Sequence, residues 1–318
     1  MKIHVISTIN GLENEGMRNV ATHISRCFEN EHDVVYSSLR DIIRIPVRCR
    51  TSDVTFIFAR CVNKVYLIAK LCSFFAKKLN IVVVQRPNSE FVKKYNKSPI
   101  RCNFFTVCHD DLKDLRIERD CFVKDFNVGI NTAKFFPVGE SERMILKKKY
   151  GVAENKPLIL HVGHCSKGRG LEDFLKIDEK KYERLVVASG MFEDEKVVAL
   201  LEDENVRIVS EYVENINEFY QMADVYFFPT RLEDFVISVP LSVMEALSCG
   251  TPVVAYKEFS KMHAIKTKTE NAIVFIDSTD AVDGIFEEVM AFKTSDSLLA
   301  SPKGWSEVAN KMLNQGVV

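Results

Sequence analysis

Along the chain, short apolar runs rich in β-branched and aromatic residues alternate with longer stretches whose apolar positions recur every three or four residues. The runs in the first half are KIHVIS (2–7), DVVYSSL (33–39), DVTFIFA (53–59), NIVVVQ (80–85), CNFFTV (102–107) and CFVKDFNV (121–128). Between them, 16–29 and 62–79 carry helical periodicity. Strands of this length separated by helices predict a parallel sheet with helical crossovers. After a Gly-, Asn- and Pro-punctuated passage at 127–152 the pattern restarts. PLILHVG (157–163), RLVVASG (184–190), NVRIVS (205–210), DVYFFP (224–229), TPVVAY (251–256) and NAIVFI (271–276) are its runs. The reading is two Rossmann-like α/β domains, 1–145 and 146–318, joined by a linker near 140–155, with the last helix able to pack back on the N-terminal domain.

Two such units do not name a function. The dinucleotide fingerprint G-x-G-x-x-G follows neither leading strand: residues 8–16 read TINGLENEG, and the second half reads VGHCSKGRG after PLILH. A nicotinamide enzyme is therefore not expected, and no P-loop phrase is present. No D-x-D sits where it could hold a metal, and no metal or organic cofactor is expected. The 318 residues suit two domains, and 47% hydrophobic with 27% charged residues is an ordinary globular balance. No apolar run approaches the ~18 residues that cross a bilayer. MKIHVIS passes directly into a strand pattern, so a signal peptide is not expected. The nine cysteines contain no C-x-x-C pair. They point to buried thiols in a reducing compartment, hence the cytoplasm.

The net charge of -1 hides an asymmetry: 1–145 carries +7 and 146–318 carries −8. The two halves are expected to meet different partners. Nucleic acid is not among them. The basic half includes RIPVRCR (44–50) and KVYLIAKLCSFFAKKLN (64–80), where cations mix with large apolar residues. A core-facing helix with a solvated basic end is one reading. Peripheral contact with an anionic membrane is the other.

Four phrases, in order, resemble the GT-B glycosyltransferases, in particular the retaining family 4. FNVGINTAKFFPV (126–138) is similar to the family's hinge phrase. LHVGHCSKGRGLEDFL (160–175) resembles its strand, cation loop and helix. SEYVENINEFYQMADVYFFPT (210–230) resembles the helix that ends at A-D-V before a buried strand. PLSVMEALSCGTPVVA (240–255) resembles the glutamate-bearing helix followed by C-G-T-P-V-V. The resemblance covers 126–256. It implies two Rossmann-like domains facing across a cleft, and a sugar moved from a UDP- or GDP-sugar to an acceptor with retention and without a metal. The acceptor is unidentified, whether glycan, lipid-linked or small molecule. A non-catalytic GT-B partner or regulatory subunit is the alternative.

The resemblance assigns candidate residues. His164 and Arg169 occupy the two diphosphate-neutralising positions, five residues apart, and Lys167 lies between them. An arginine can hold a diphosphate with two parallel donors. Glu245 matches the glutamate that accepts from the ribose hydroxyls. Leu241 and Ser242 open its helix after Pro240, where unpaired N–H groups suit phosphate. In the first half, Gly11 and Gly16 bracket a loop that would approach the donor phosphate, with Arg18 beside it. His109-Asp110-Asp111 looks like a catalytic pair, but Asp110 is expected to cap a helix. Arg86 is a candidate electrostatic group.

The chain departs from the family where a second glutamate should precede Glu245 by eight residues in E-G-F-G. That position holds Ile237, and the nearest match is Glu233-Asp234-Phe235-Val236, twelve residues upstream. Both glycines are missing and four residues are extra. Glu233 is expected to contact the donor sugar, the extra length being absorbed in 236–239; changed sugar recognition and loss of activity are the alternatives.

Overall fold

The computed structural model describes residues 1–7, 15–119, 121–279 and 282–317. By its internal packing the chain divides into two units. The first holds Met1–Gly129, Val236–Val239 and Lys303–Val318, and the second Ile130–Phe235 and Pro240–Pro302.

In the first unit β1 (Lys2–Ser7), β2 (Asp33–Ser37), β3 (Val54–Phe58), β4 (Leu79–Val83), β5 (Asn103–Thr106) and β6 (Val123–Asp125) form one sheet in the order β2-β1-β3-β4-β5-β6. Every pairing is parallel, with Ile3 beside Val34 on one side and Val54 on the other. Strands β3 and β4 are buried along their whole length, as parallel strands covered on both faces should be. Helices α1 (Gly16–Glu29), α2 (Arg44–Thr51), α3 (Asn63–Cys72) and α4 (Ser89–Lys97) make the crossovers. Asn88 caps α4 by accepting from the Phe91 N–H at 2.9 Å.

The predicted helix over 62–79 ends at Cys72 instead. The Phe75 and Ala76 N–H groups both turn back to the Cys72 carbonyl, and Leu79 enters β4 opposite Thr55. A helix continued to 79 would withdraw Leu79 from the sheet, and burial of the strand outweighs local helical periodicity.

In the second unit α5 (Glu140–Lys149) leads into β7 (Leu158–Val162), β8 (Glu183–Val187), β9 (Arg207–Val209), β10 (Val225–Phe228), β11 (Val253–Tyr256) and β12 (Ile273–Ile276). The order is β12-β11-β10-β7-β8-β9, again all parallel. Helices α6 (Glu195–Asp203), α7 (Ile216–Met222) and α8 (Leu241–Ser248) join strands of this sheet, and α9 (Val282–Met290) follows β12. One apolar cluster, including Phe174, Phe227, Tyr256 and Phe286, packs against the sheet.

The unit boundary lies at Gly129 and not at 145, so α5 belongs wholly to the second unit. Asp224, at the entrance to β10, explains this. It receives the Leu158 N–H at 2.7 Å, the Lys147 ammonium at 3.0 Å and the Arg143 guanidinium. Burial opposes its charge, but Arg143 and Lys147 outweigh it and hold the carboxyl below its ordinary pKa. The last helix, α10 (Trp305–Gly316), belongs to the first unit. The Trp305 ring stacks on His23 of α1 with centroids 4.9 Å apart.

Candidate donor site

In an open parallel sheet, the crevice for a ligand opens at the carboxyl ends of the two adjacent strands whose connections run in opposite directions. In the second unit those strands are β7 and β10. The segments leaving them are 163–170 and 229–240, which contain the cation phrase and the glutamate phrase.

The two loops are in close contact. The Thr230 hydroxyl donates to the Arg169 carbonyl at 3.1 Å. Gly170 adopts φ 74°, and a Cβ there would stand 2.4 Å from the Pro229 carbonyl oxygen. Only glycine meets both demands. The Phe235 ring covers Gly168, where a Cβ would come within 2.6 Å of it.

Arg169 is buried, with 9% of its surface exposed. Among the described residues no carboxylate forms an ion pair with it. Burial lowers its pKa to about 10, so it stays charged at neutral pH. His164 is half-buried, and burial followed by the neighbouring Arg169 lowers its pKa to about 4. It is therefore a neutral imidazole, a hydrogen-bonding group beside a full cation. Lys167 is exposed.

Helix α8 begins after Pro240 with no side chain capping it and no acidic residue in its first turn. Leu241 is buried and Ser242 half-buried there. Ser242 hydrogen-bonds to the Tyr226 side chain, which also donates to the Val162 carbonyl at 3.1 Å. One turn on, Glu245 accepts from the Tyr220 hydroxyl at 2.9 Å. The Tyr220 and Tyr226 rings lie 5.7 Å apart. Burial of the Glu245 carboxyl raises its pKa to about 7 against the lowering by Tyr220 and Lys134. At its other end α8 closes on Gly250 in the left-handed conformation, φ 69°.

Glu233 lies in a short 3-10 turn, Glu233–Phe235, and pairs with the Lys261 ammonium at 2.9 Å. Arg231, two residues earlier, binds Asp173 at 2.7 Å and stacks over the Tyr256 ring at 3.6 Å. The Tyr256 hydroxyl also donates to Asp173, at 2.8 Å.

His164, Lys167, Arg169, Glu233, Leu241, Ser242 and Glu245 all lie in the second unit, on the segments that leave β7 and β10 and in α8. Gly16 belongs to the first unit, at the start of α1, where a Cβ would come 3.0 Å from Ile237. Gly11 lies outside the described residues. Arg18 pairs with Glu15 at 3.2 Å, and Arg86 with Asp114 at 3.0 Å. Asp110 does not cap a helix. It lies inside a 3-10 turn, His109–Leu112, preceded by Cys108 with no side-chain cap. His109 pairs with Asp125 at 2.7 Å on the exposed surface. The buried Asp111 instead accepts from the Ser238 hydroxyl at 2.5 Å. The Ser238 N–H donates to Val84 at 2.7 Å, so the extra residues 236–239 are built into the first unit.

Sequence reasoning missed Lys261, Arg231 with Asp173, Tyr220 and Tyr226. The two tyrosines fall inside the phrase 210–230 but read as helix and strand apolar positions. Lys261 stands in FSKMHAIKTK, where lysines are frequent and nothing singles it out. His161 was also missed. It is fully buried, its Nδ1 lies 3.1 Å from the Phe227 carbonyl oxygen, and burial lowers its pKa to about 3.

The family model described as "Glycosyl transferases group 1" matches residues 142–301, half of the chain. The chain belongs to that family. The match spans α5 to the segment after α9, and so contains every part of the donor-site candidate except Gly16. Alpha-galactosylglucosyldiacylglycerol synthase of Streptococcus pneumoniae is 23% identical over 146 residues, 43% of this chain and 37% of the relative. An uncharacterized glycosyltransferase of Methanocaldococcus jannaschii is 28% identical over 170 residues, 50% of this chain and 43% of the relative. The matches thus span less than half the length of these two relatives. Among solved structures, Anabaena HepE in complex with UDP-glucose superposes with a TM-score of 0.73 at 13% identity, covering 100% of this chain and 95% of that one. A glycosyltransferase from Rickettsia africae gives 0.70 at 13% identity, covering 99% and 94%. These likenesses establish the two-unit GT-B fold. Among the described residues, no helix is long and apolar enough to cross a membrane.

Proposed function

We propose that this group 1 glycosyltransferase moves a sugar from a UDP- or GDP-linked donor to an acceptor, holding the donor in its second unit. The carrying observation is Arg169, a buried guanidinium with no carboxylate partner among the described residues, whose charge acts on Tyr226, the side chain to which Ser242 at the uncapped start of α8 hydrogen-bonds. A buried cation is costly without a counterion. A diphosphate supplies one, and charge building on it as the sugar departs is stabilised by the same group. In this reading His164 adds a neutral hydrogen bond and Lys167 an outer charge. The Leu241 and Ser242 amides meet phosphate, Glu245 receives the ribose hydroxyls, and Glu233 contacts the sugar.

No divalent metal or organic cofactor is required in this scheme. Transfer with retention follows the family reading, and the anomeric configuration of the product tests it directly. The neighbour solved with UDP-glucose makes uridine diphosphate the first ligand to try. The deciding experiment is calorimetry of Arg169→Ala against UDP and uridine. Losing a charge-assisted contact costs roughly 1.5–3 kcal/mol, so UDP affinity should fall about tenfold or more while uridine affinity stays. Equal losses would remove Arg169 from the phosphate site. A protein that binds UDP yet transfers no sugar across a broad donor and acceptor panel would be a binding subunit.

The acceptor is proposed to lie at an anionic membrane surface on the cytoplasmic side. The supporting observation is the first unit's α2 region. Ile43 is 90% exposed, Val47 63% and Ile42 55%, with Arg40, Arg44 and Arg50 exposed among them. Phe74, after α3, is 74% exposed. Large apolar side chains interleaved with arginines are what an interfacial segment needs.

A further inference from the structure

We propose that Lys261 is the positioning residue that sets Glu233 for the donor sugar. The inference rests on the sugar-contacting role given to Glu233 and extends it to a residue on another strand's loop. Lys261 lies in the 3-10 turn Ser260–Ala264 that follows β11. That turn is held in the core on both sides of the lysine. Phe259 is fully buried with its ring edge-on to Phe228 at 5.5 Å, and Met262 is fully buried as well. The lysine side chain is therefore covered, with 5% of it exposed against 30% for Glu233.

This differs from a surface ion pair, in which two mobile side chains gain little from meeting. An ammonium withdrawn from water needs compensating oxygen, and the Glu233 Oε2 atom supplies it at 2.9 Å. The backbone beneath Glu233 is fixed by separate means, through Arg231 on Asp173 and over Tyr256. Lys261 engages the Glu233 side chain itself. A carboxylate has about four lone-pair directions. Engaging one at Oε2 sets the plane in which a sugar hydroxyl would be received.

The test uses the full chain with UDP-glucose, UDP-galactose, UDP-N-acetylglucosamine and GDP-mannose, and UDP and GDP as sugar-free references. Calorimetry gives the gain in affinity that each sugar adds to its diphosphate. Lys261→Met is expected to lower that gain about tenfold for the best-bound donor, the scale of one charge-assisted contact, with UDP and GDP affinities unchanged. Lys261→Arg should retain most of it. The Lys261→Met, Glu233→Gln double variant should be no weaker than Glu233→Gln alone, since coupled groups do not add. If Glu233→Gln lowers the sugar gain and Lys261→Met does not, the positioning role is wrong while the Glu233 reading stands. If Glu233→Gln leaves the gain intact, or no sugar adds affinity to its diphosphate, the Glu233 reading fails and takes this inference with it. Equal losses for sugar-nucleotides and bare diphosphates in Lys261→Met would show general damage to the site and overturn the proposal. Should Lys261→Met not fold, Lys261→Gln replaces it, with the same loss expected.

Discussion

Glu245 combines two demands that pull apart. Burial favours the neutral acid, with a pKa raised to about 7, whereas the proposed role of accepting ribose hydroxyls favours the carboxylate. The raised value means that the fold is favoured by protonation. The stability it contributes is full below the ordinary carboxylate range and is lost as pH rises through about 7. Nucleotide binding runs the other way, because ionised Glu245 is the better acceptor. UDP affinity should therefore rise by up to about tenfold between pH 6 and pH 8. Glu245→Gln should bind more weakly at pH 8 and flatten the part of the profile not due to the phosphate's own titration. Titration calorimetry at several pH values checks this, and parallel profiles for the two proteins would separate Glu245 from the nucleotide.

At the level of elements, helices are attached to the sheets by specific polar groups as well as by apolar faces. Asp224 holds α5 through Arg143 and Lys147, whose side chains are only 11% and 5% exposed. Removing one member of such a group leaves buried charge unmatched, at a cost of roughly 3 kcal/mol or more. Asp224→Ala should lower the urea midpoint of the protein accordingly. Because the Asp224 pKa is depressed, its contribution is present above the ordinary aspartate range and disappears as pH falls through the depressed value. The variant's deficit should therefore shrink in acid, and a deficit independent of pH would assign the loss to packing. Gly250 offers a second check at the end of α8. A Cβ there would stand 2.2 Å from the Thr294 carbonyl oxygen, and φ is 69°. Gly250→Ala is expected to destabilise by about 2 kcal/mol, from left-handed strain together with displacement of the backbone. Thermal unfolding would measure it.

For the whole molecule, the uneven charge of the chain is matched by an uneven surface chemistry. The half carrying +7 also presents exposed isoleucine and phenylalanine beside arginine and lysine. Each cation near an anionic leaflet is worth about 1 kcal/mol, and the attraction decays within a Debye length. The protein should therefore pellet with phosphatidylserine vesicles at low salt, less so at high salt, and not with neutral vesicles. Ile43→Asp should reduce pelleting at both salt concentrations, because it removes an insertion that salt does not screen. Absence of pelleting with anionic vesicles at low salt would refute membrane contact.

All twelve apolar runs became strands, and the helix predicted at 16–29 spans Gly16–Glu29. Periodicity and β-branched enrichment are local properties, so they can be read without knowing what the segment packs against. The phrases of the candidate site were also legible in the sequence, because a loop leaving a strand and the start of the next helix carry their residues in order. Tertiary structure alone decided the rest. The end of α3 at Cys72 depends on Leu79 finding Thr55 across the sheet. The assignment of 236–239 to the first unit depends on Ser238 meeting Asp111, more than a hundred residues earlier. The pairing of Glu233 with Lys261 depends on two loops that leave neighbouring strands β10 and β11. Such contacts join distant positions whose individual residue types are common on any surface. Their energy arises only when burial removes water from both partners, and no local pattern records that.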